Sequence, residues 1–167
     1  MGLVALCPGT FDPVTNGHLD IIRRASRSFG EVLVAVLENP GKQPLFGVDE
    51  RVAMIEEAVA GIGQVSVESF SGLLVDYART RDSVIVVKGI RAVTDFDYEL
   101  QMAQMNSRMA GLETYFVATS PQWSYLSSSL IKEVVRFGGD ISGLVPEFVQ
   151  RRLEQKLAPQ RVGGREE

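Results

Sequence analysis

The chain has 167 residues, 45% of them hydrophobic and 23% charged, with a formal net charge of −4. That profile predicts one ordinary globular domain with a single sizeable core. It holds no block of lysine and arginine, which argues against a general nucleic-acid or membrane-surface binder and leaves room for a small anion held by a few placed cations.

The predicted elements run, in chain order, strand Leu3–Cys7, helix Gly17–Phe29, strand Val32–Leu37, helix Val48–Gly61, strand Gln64–Glu68, helix Gly72–Thr80, strand Ser83–Val87, helix Thr94–Met109, strand Thr114–Ala118, helix Ser127–Phe137 and helix Pro146–Leu157. Val32–Leu37 and Val84–Val87 are apolar throughout, the signature of parallel strands buried on both faces. Alternation of strand and helix predicts an α/β fold, a single doubly wound, five-stranded parallel sheet of Rossmann-like form over residues 1–157. Residues 158–167, rich in Pro, Gly, Arg and Glu without periodicity, are expected to fray. The one cysteine, Cys7, excludes a disulfide framework and suits a reducing compartment. Neither a secretory signal nor an apolar run near the ~20 residues of a membrane span is evident. The expected location is cytoplasmic.

The unusual residues follow the strands: Gly9–His18, Glu38–Lys42, Phe70–Leu74, Lys88–Arg91 and Thr119–Ser129. In open parallel sheets ligands bind outside the carboxyl ends of the strands, so these loops should converge on one site. The first, Pro8-Gly9-Thr10-Phe11-Asp12-Pro13-Val14-Thr15-Asn16-Gly17-His18, carries the only histidine. A glycine-punctuated turn between a first strand and a first helix is where such proteins hold phosphates. Gly9 and Gly17 permit close backbone approach. A helix beginning near His18 would present its positive end there and disfavour imidazolium. His18 is then a neutral donor to charge growing on a phosphoryl group; the alternative is a surface histidine in a first helical turn. Thr10 either donates to the same phosphate or makes a local turn. Lys42, in Asn39-Pro40-Gly41-Lys42-Gln43-Pro44, is either aimed by its prolines or solvated.

In Lys88-Gly89-Ile90-Arg91 two cations flank a glycine straight after an apolar strand. That suits an anion cradle, with Arg91 gripping oxygens bidentately and Lys88 acting as a point charge. The next helix opens on Thr94-Asp95-Phe96-Asp97, a capping-box-like start, and Asp95, Asp97 and Glu99 suit its positive end. Met102, Met105 and Met109 recur at helical spacing and read first as core, second as flexible pocket wall. Ser127-Ser128-Ser129 opens another helix with Lys132 one turn in, a second anion site with more hydroxyls than one N-cap uses. Trp123 and Tyr125 pack either on a base or on the sheet. The chain offers no Cys/His metal cluster and no Ser-His-acid set. Clustered cations and oriented donors without an evident base suit phosphoryl or nucleotidyl transfer.

At Pro8–His18, Gly89–Glu99 and Trp123–Glu133 the chain closely resembles the phosphopantetheine adenylyltransferases of bacterial coenzyme A synthesis, within the nucleotidyltransferase superfamily. The resemblance extends to about Leu157. It implies transfer of AMP from ATP to 4′-phosphopantetheine with Mg²⁺ carried on the ATP phosphates, giving dephospho-coenzyme A and pyrophosphate. Carried over by motif, His18 would stabilise the transition state together with Lys42 and Arg91. Thr10, Phe11, His18, Gly89, Ile90, Arg91, Glu99, Trp123, Ser124, Tyr125, Leu126, Ser127, Ser128 and Ser129 would bind ATP. Thr10, Lys42, Leu74, Lys88, Met102 and Asn106 would contact phosphopantetheine. A homohexamer is implied, with coenzyme A a candidate feedback ligand; no dedicated metal ligands, nucleic acid or membrane partner are expected.

Three positions depart from the family pattern. Lys88 stands where arginine is frequent, keeping the charge and losing the fork. Cys7 stands where a tyrosine can occur, at one edge of the pantetheine pocket. Thr15 replaces the first histidine of the superfamily's His-x-Gly-His form, as is common in this family, which leaves His18 the only imidazole. The competing readings are a cytidylyltransferase of the same fold, a non-catalytic nucleotide-binding module, and a fragment of a class I aminoacyl-tRNA synthetase. The segments Lys88–Glu99 and Trp123–Lys132 favour the adenylyltransferase over the first. The presence of His18, Lys42 and Arg91 speaks against the second, and the chain length against the third.

Overall fold

A computed structural model of the chain describes residues 2–39, 41 and 43–157. Lys42 and the tail 158–167 therefore lie outside the described residues. The elements are β1 Val4–Gly9, α1 Asn16–Phe29, β2 Glu31–Glu38, α2 Val48–Val59, β3 Gln64–Ser71, α3 Leu74–Ala78, β4 Val84–Ile90, α4 Val93–Ala110, β5 Thr114–Ala118, a 3-10 turn at Pro121–Trp123, α5 Ser128–Arg136 and α6 Glu147–Lys156. The five strands form one parallel sheet in the order β3-β2-β1-β4-β5, as the alternation predicts.

The period of two along each strand divides the core. Ala5, Cys7, Val32, Val34, Val36 and Val87 face α1, α2, α5 and α6, and pack with Leu19, Ile22, Met54, Ile131 and Leu153. Leu6, Leu33, Ala35 and Val86 face the other way, onto Phe70, Val75, Ala78 and Leu112. Each helix of the first layer offers an i, i+4 apolar stripe: Ile131 and Val135 on α5, Val149 and Leu153 on α6.

Several boundaries differ from expectation, for physical reasons. Gly9 and Gly89 read as turn residues, yet both belong to strands, because their neighbours continue the ladder: Gly9 lies opposite Val36 and Gly89 opposite Val117. Gly89 also answers a packing requirement. A Cβ there would lie 2.8 Å from Cγ1 of Ile21, so its bareness lets α1 approach the sheet. Helix α4 begins at Val93 with Ala92 as N-cap, and the Thr94 capping box does not form; Asp95 turns instead to Arg91. Pro146 is an N-cap, one residue before α6 proper. Met102, Met105 and Met109 are exposed rather than core, and the only buried residue of α4 is Asn106.

The packing of Gly89 against Ile21 yields a stability prediction. Gly89→Ala should destabilise the fold by about 1–3 kcal/mol, the usual cost of overpacking. Adding Ile21→Ala removes the obstructing Cγ1, so the double variant should lose less stability than the sum of the single variants. Urea unfolding of the four proteins measures the coupling.

Candidate active site

The two central strands part company at their carboxyl ends. β1 and β4 pair only over Val4–Leu6 and Val84–Val86, after which β1 continues with β2 and β4 with β5. The chain winds away from this pair in both directions, making it the switch point of the sheet. Here a cavity of about 960 Å³ opens. One arm reaches along the α1/α5 side, past His18, Gly89, Trp123 and Ser127–Ser129; the other enters the α3/α4 side, past Leu74, Lys88, Met102 and Asn106.

His18 sits at the third position of α1, half-buried, and is held by a capping box with Thr15. The Thr15 backbone N–H donates to His18 Nδ1 at 3.0 Å, and the His18 N–H donates to Thr15 Oγ1 at 3.4 Å. Accepting that bond leaves Nδ1 without a proton, so the neutral ring carries its proton on Nε2. Burial, with the Arg91 guanidinium as a second cause, pushes the imidazole pKa down to about 4. The neutral donor expected from helix polarity is thus secured mainly by desolvation and a neighbouring cation. Phe11, buried at a φ of 50°, sets its ring edge-on to the imidazole at a centroid distance of 5.0 Å. The capping role of Thr15 was not singled out from the sequence, because a histidine answers it where a capping box usually has Glu or Gln.

The cations of the site arrive already partnered. Arg91 donates from Nε to Asp95 at 3.0 Å and from Nη1 to the Leu126 carbonyl at 2.6 Å, joining the β4–α4 turn to the segment before α5. Lys88 lies 3.3 Å from Glu99, which projects from α4. Lys132 pairs with buried Asp12 at 2.7 Å. Asp12 also accepts from the backbone N–H groups of Leu45 and Phe46, both at 2.9 Å. Burial opposes ionisation of Asp12, but Lys132 and these two donors outweigh it and hold the carboxyl below its ordinary value. Cys7, at the floor of the cavity, has its thiol pushed up to about 12 by burial, so it lines the site as an apolar group.

The serine triplet divides its tasks. Ser127 caps α5, accepting from the Leu130 N–H at 3.1 Å. Ser128 donates to the Pro13 carbonyl at 2.8 Å, tying α5 to the His18 loop. Ser129 is exposed toward the cavity. Of the other residues expected at the site, Thr10, Phe11, Gly89, Trp123 and Leu126 line the cavity, as do Leu74, Lys88, Glu99, Met102 and Asn106; Ile90, Ser124 and Tyr125 do not. Asp12 and Arg51 were not singled out from the sequence. An Asp-Pro turn and a helical arginine carry no local sign of the long-range bonds they make.

Three comparisons bear on this geometry. A cytidylyltransferase-like family model matches residues 6–134. A curated relative from Frankia casuarinae, phosphopantetheine adenylyltransferase, is 58% identical over 158 residues, covering 92% of this chain and 98% of the relative. A solved Vibrio parahaemolyticus structure, provisionally described as a nicotinate-nucleotide adenylyltransferase, matches with a TM-score of 0.67 at 16% identity, over 96% of this chain and 97% of that one, a likeness of fold.

Because His18 is the only histidine, its ring gives a single set of imidazole resonances. Their NMR titration should have its midpoint near 4 rather than near the ordinary 6.5. The unfolded chain binds this proton below about pH 6.5 and the folded chain does not until about pH 4, so stability should fall as pH drops through that window. In His18→Asn this component should vanish from urea unfolding measured across the same range.

Proposed function

This chain belongs to the phosphopantetheine adenylyltransferase family, and from that premise we propose that it transfers the adenylyl group of ATP to the phosphate of 4′-phosphopantetheine in coenzyme A biosynthesis. The observation that carries the reading is the 58% identity to the Frankia relative across nearly the full length of both chains. The geometry agrees with it: one cavity, two arms, and a neutral imidazole where they meet.

In the proposed reaction an oxygen of the acceptor phosphate attacks the α-phosphorus of ATP. The bond from that phosphorus to the bridging oxygen breaks, and pyrophosphate leaves with the electron pair. A phosphate monoester has its second pKa near 6, so the nucleophile is ionised at neutral pH and no general base is required. What the protein supplies is position and charge stabilisation. His18 Nε2–H donates to the non-bridging α-oxygen on which charge grows, a bond worth most in a site that excludes water. ATP occupies the α1/α5 arm, against Gly89, Trp123 and the first turn of α5. The acceptor occupies the α3/α4 arm, its phosphate near Lys88 and its pantetheine chain along Leu74, Met102 and Asn106. Arg91, together with Lys42 on the sequence reading, adds positive charge at the meeting point.

Mg²⁺ enters this scheme on the ATP phosphates, where it neutralises charge. The acids nearest the site suit that division of labour, since Asp12, Asp95 and Glu99 are each engaged by a protein cation. Among the described residues no three His, Cys, Asp or Glu side chains are grouped to hold a metal.

A homohexamer accounts for an otherwise unpartnered helix face. Tyr98, Met105 and Met109 of α4 are 64%, 54% and 42% exposed, a row of large apolar groups on one face that interfaces commonly cover. Coenzyme A, which shares the pantetheine arm, is the proposed feedback ligand. No helix among the described residues is long and apolar enough to cross a membrane, and the proposed location is the cytoplasm.

Purified protein given ATP, Mg²⁺ and 4′-phosphopantetheine should yield dephospho-coenzyme A and pyrophosphate by mass spectrometry. CTP in place of ATP should yield no adduct. His18→Ala should lower turnover by about 10²-fold or more, as removal of an oxyanion-type donor does, with the far-ultraviolet circular dichroism unchanged. Turnover equal to the parent enzyme would remove His18 from the chemistry. Light scattering should report a mass near six chains.

A further inference from the structure

Arg51, on α2, is 2% exposed and has no carboxylate partner among the described residues. A buried guanidinium without a counter-ion costs several kcal/mol of desolvation, repaid only if its donors are well satisfied. Here three carbonyls take three of its five N–H donors. Nε donates to the Phe46 carbonyl at 3.0 Å, and Nη1 to those of Thr10 at 2.7 Å and Leu37 at 3.0 Å. These three carbonyls belong to different segments. Leu37 lies at the end of β2, Phe46 just before α2, and Thr10 in the loop that leads to His18. The bonds therefore fasten both flanks of the β2–α2 loop to the β1–α1 loop.

Phe46 is held through both of its backbone polar groups. Its carbonyl accepts from Arg51, and its N–H donates to Asp12 Oδ1 at 2.9 Å. Asp12 also takes the Leu45 N–H and the Lys132 ammonium. A single residue, through the peptide groups on either side of it, thus links a buried cation and a buried anion. From Phe46 it is two or three residues back to Pro44 and Gln43, which line the cavity, while Thr10 lines it from the other loop.

The geometry points to Arg51 as a positioning residue for adenylyl transfer: it sets the β2–α2 loop and Thr10 at a fixed distance from His18, acting through backbone carbonyls and touching no substrate. The inference rests on the adenylyltransferase reading above. A lysine could keep the charge, but a single ammonium on a flexible stem does not reproduce a fork spread over three carbonyls. The loops should then relax relative to His18 while the sheet stays intact. Small misplacement in a site that works by positioning lowers turnover steeply.

The test compares Arg51→Lys with Met54→Ala. Met54 is fully buried on the same helix and belongs to the core, not to the cavity. Both variants should lower the unfolding midpoint. Only Arg51→Lys should lower kcat by about tenfold to a hundredfold, with the KM for ATP changed less than about threefold, because Gly89, Trp123 and the start of α5 make no bond to Arg51. Amide exchange at Leu45 and Phe46 should accelerate by about tenfold or more in Arg51→Lys alone. If Arg51→Lys does not fold, Arg51→Gln, which removes the buried charge and keeps a donor, takes its place with the same readouts. Unchanged kcat in a folded Arg51 variant would overturn the inference. So would an equal loss of kcat in Met54→Ala, or failure of both Arg51 variants to fold while Met54→Ala folds, either of which assigns Arg51 to stability alone. Wild-type protein that makes no dephospho-coenzyme A would instead refute the functional reading, and the exchange measurement would still judge the clamp.

Discussion

The separation of β1 from β4 past Leu6 and Val86 is the constraint on which the site depends. Two parallel strands that stayed paired to their ends would fill the space where the cavity now lies. Because β1 follows β2 and β4 follows β5, the central seam opens at the carboxyl edge while the outer ladders remain complete. The period of two then decides what each arm contains. Lys88 turns to the α4 side with Val86, and Gly89 turns to the α1 side with Val87. Neighbouring residues of one strand thereby line opposite sides of the cavity.

Within that opening the loops are cross-tied rather than free. Ser128 holds the His18 loop to α5, Arg91 holds the β4–α4 turn to Leu126, and Asp12 holds the β2–α2 loop and Lys132 together. The Asp20 carboxylate accepts from Ser120 Oγ at 2.7 Å, which seats the 3-10 turn bearing Trp123 against the first turns of α1. Catalysis by positioning needs this kind of rigidity, since donors that must reorganise at the moment of reaction forfeit much of their value.

The order of elements, the parallel sheet and the convergence of the loops on one cavity were legible because they rest on local signals: apolar runs, strand-helix alternation and loops at carboxyl strand ends. The neutral state of His18 was legible in outcome, but its cause was not. Helix polarity is written in the Asn16-Gly17 start, whereas the burial and the Arg91 charge that push the ring down depend on tertiary contacts. Gly89 carries a second requirement that was illegible for the same reason. A glycine between two cations reads as a phosphate cradle, and only the approach of Ile21, distant in sequence, shows a packing requirement. Met105 and Met109 read as core by their spacing, yet no described element covers them, because helical period reports a common face and not what lies against it. Asp12 and Arg51 were illegible altogether, since each acts on backbone groups more than a dozen residues away.

The pairing of the site's cations explains how a chain of net charge −4 can present an anion site at all. Lys88, Arg91 and Lys132 each face a carboxylate within 3.3 Å. These pairs hold the side chains over the cavity, so the rotamer entropy of long basic residues is already lost before a ligand enters. The distances rank them by availability. Lys88 and Glu99, at 3.3 Å and partly exposed, are loosely joined, and an incoming phosphate can take the ammonium at small cost. Lys132 is bound to a buried, hydrogen-bonded carboxylate at 2.7 Å, and drawing it away would leave the Asp12 charge with only two backbone donors in a poorly hydrated place. On the proposed reading Lys88 is therefore the cation that turns to the ligand, and Lys132 belongs to the framework that ties α5 to the β2–α2 loop.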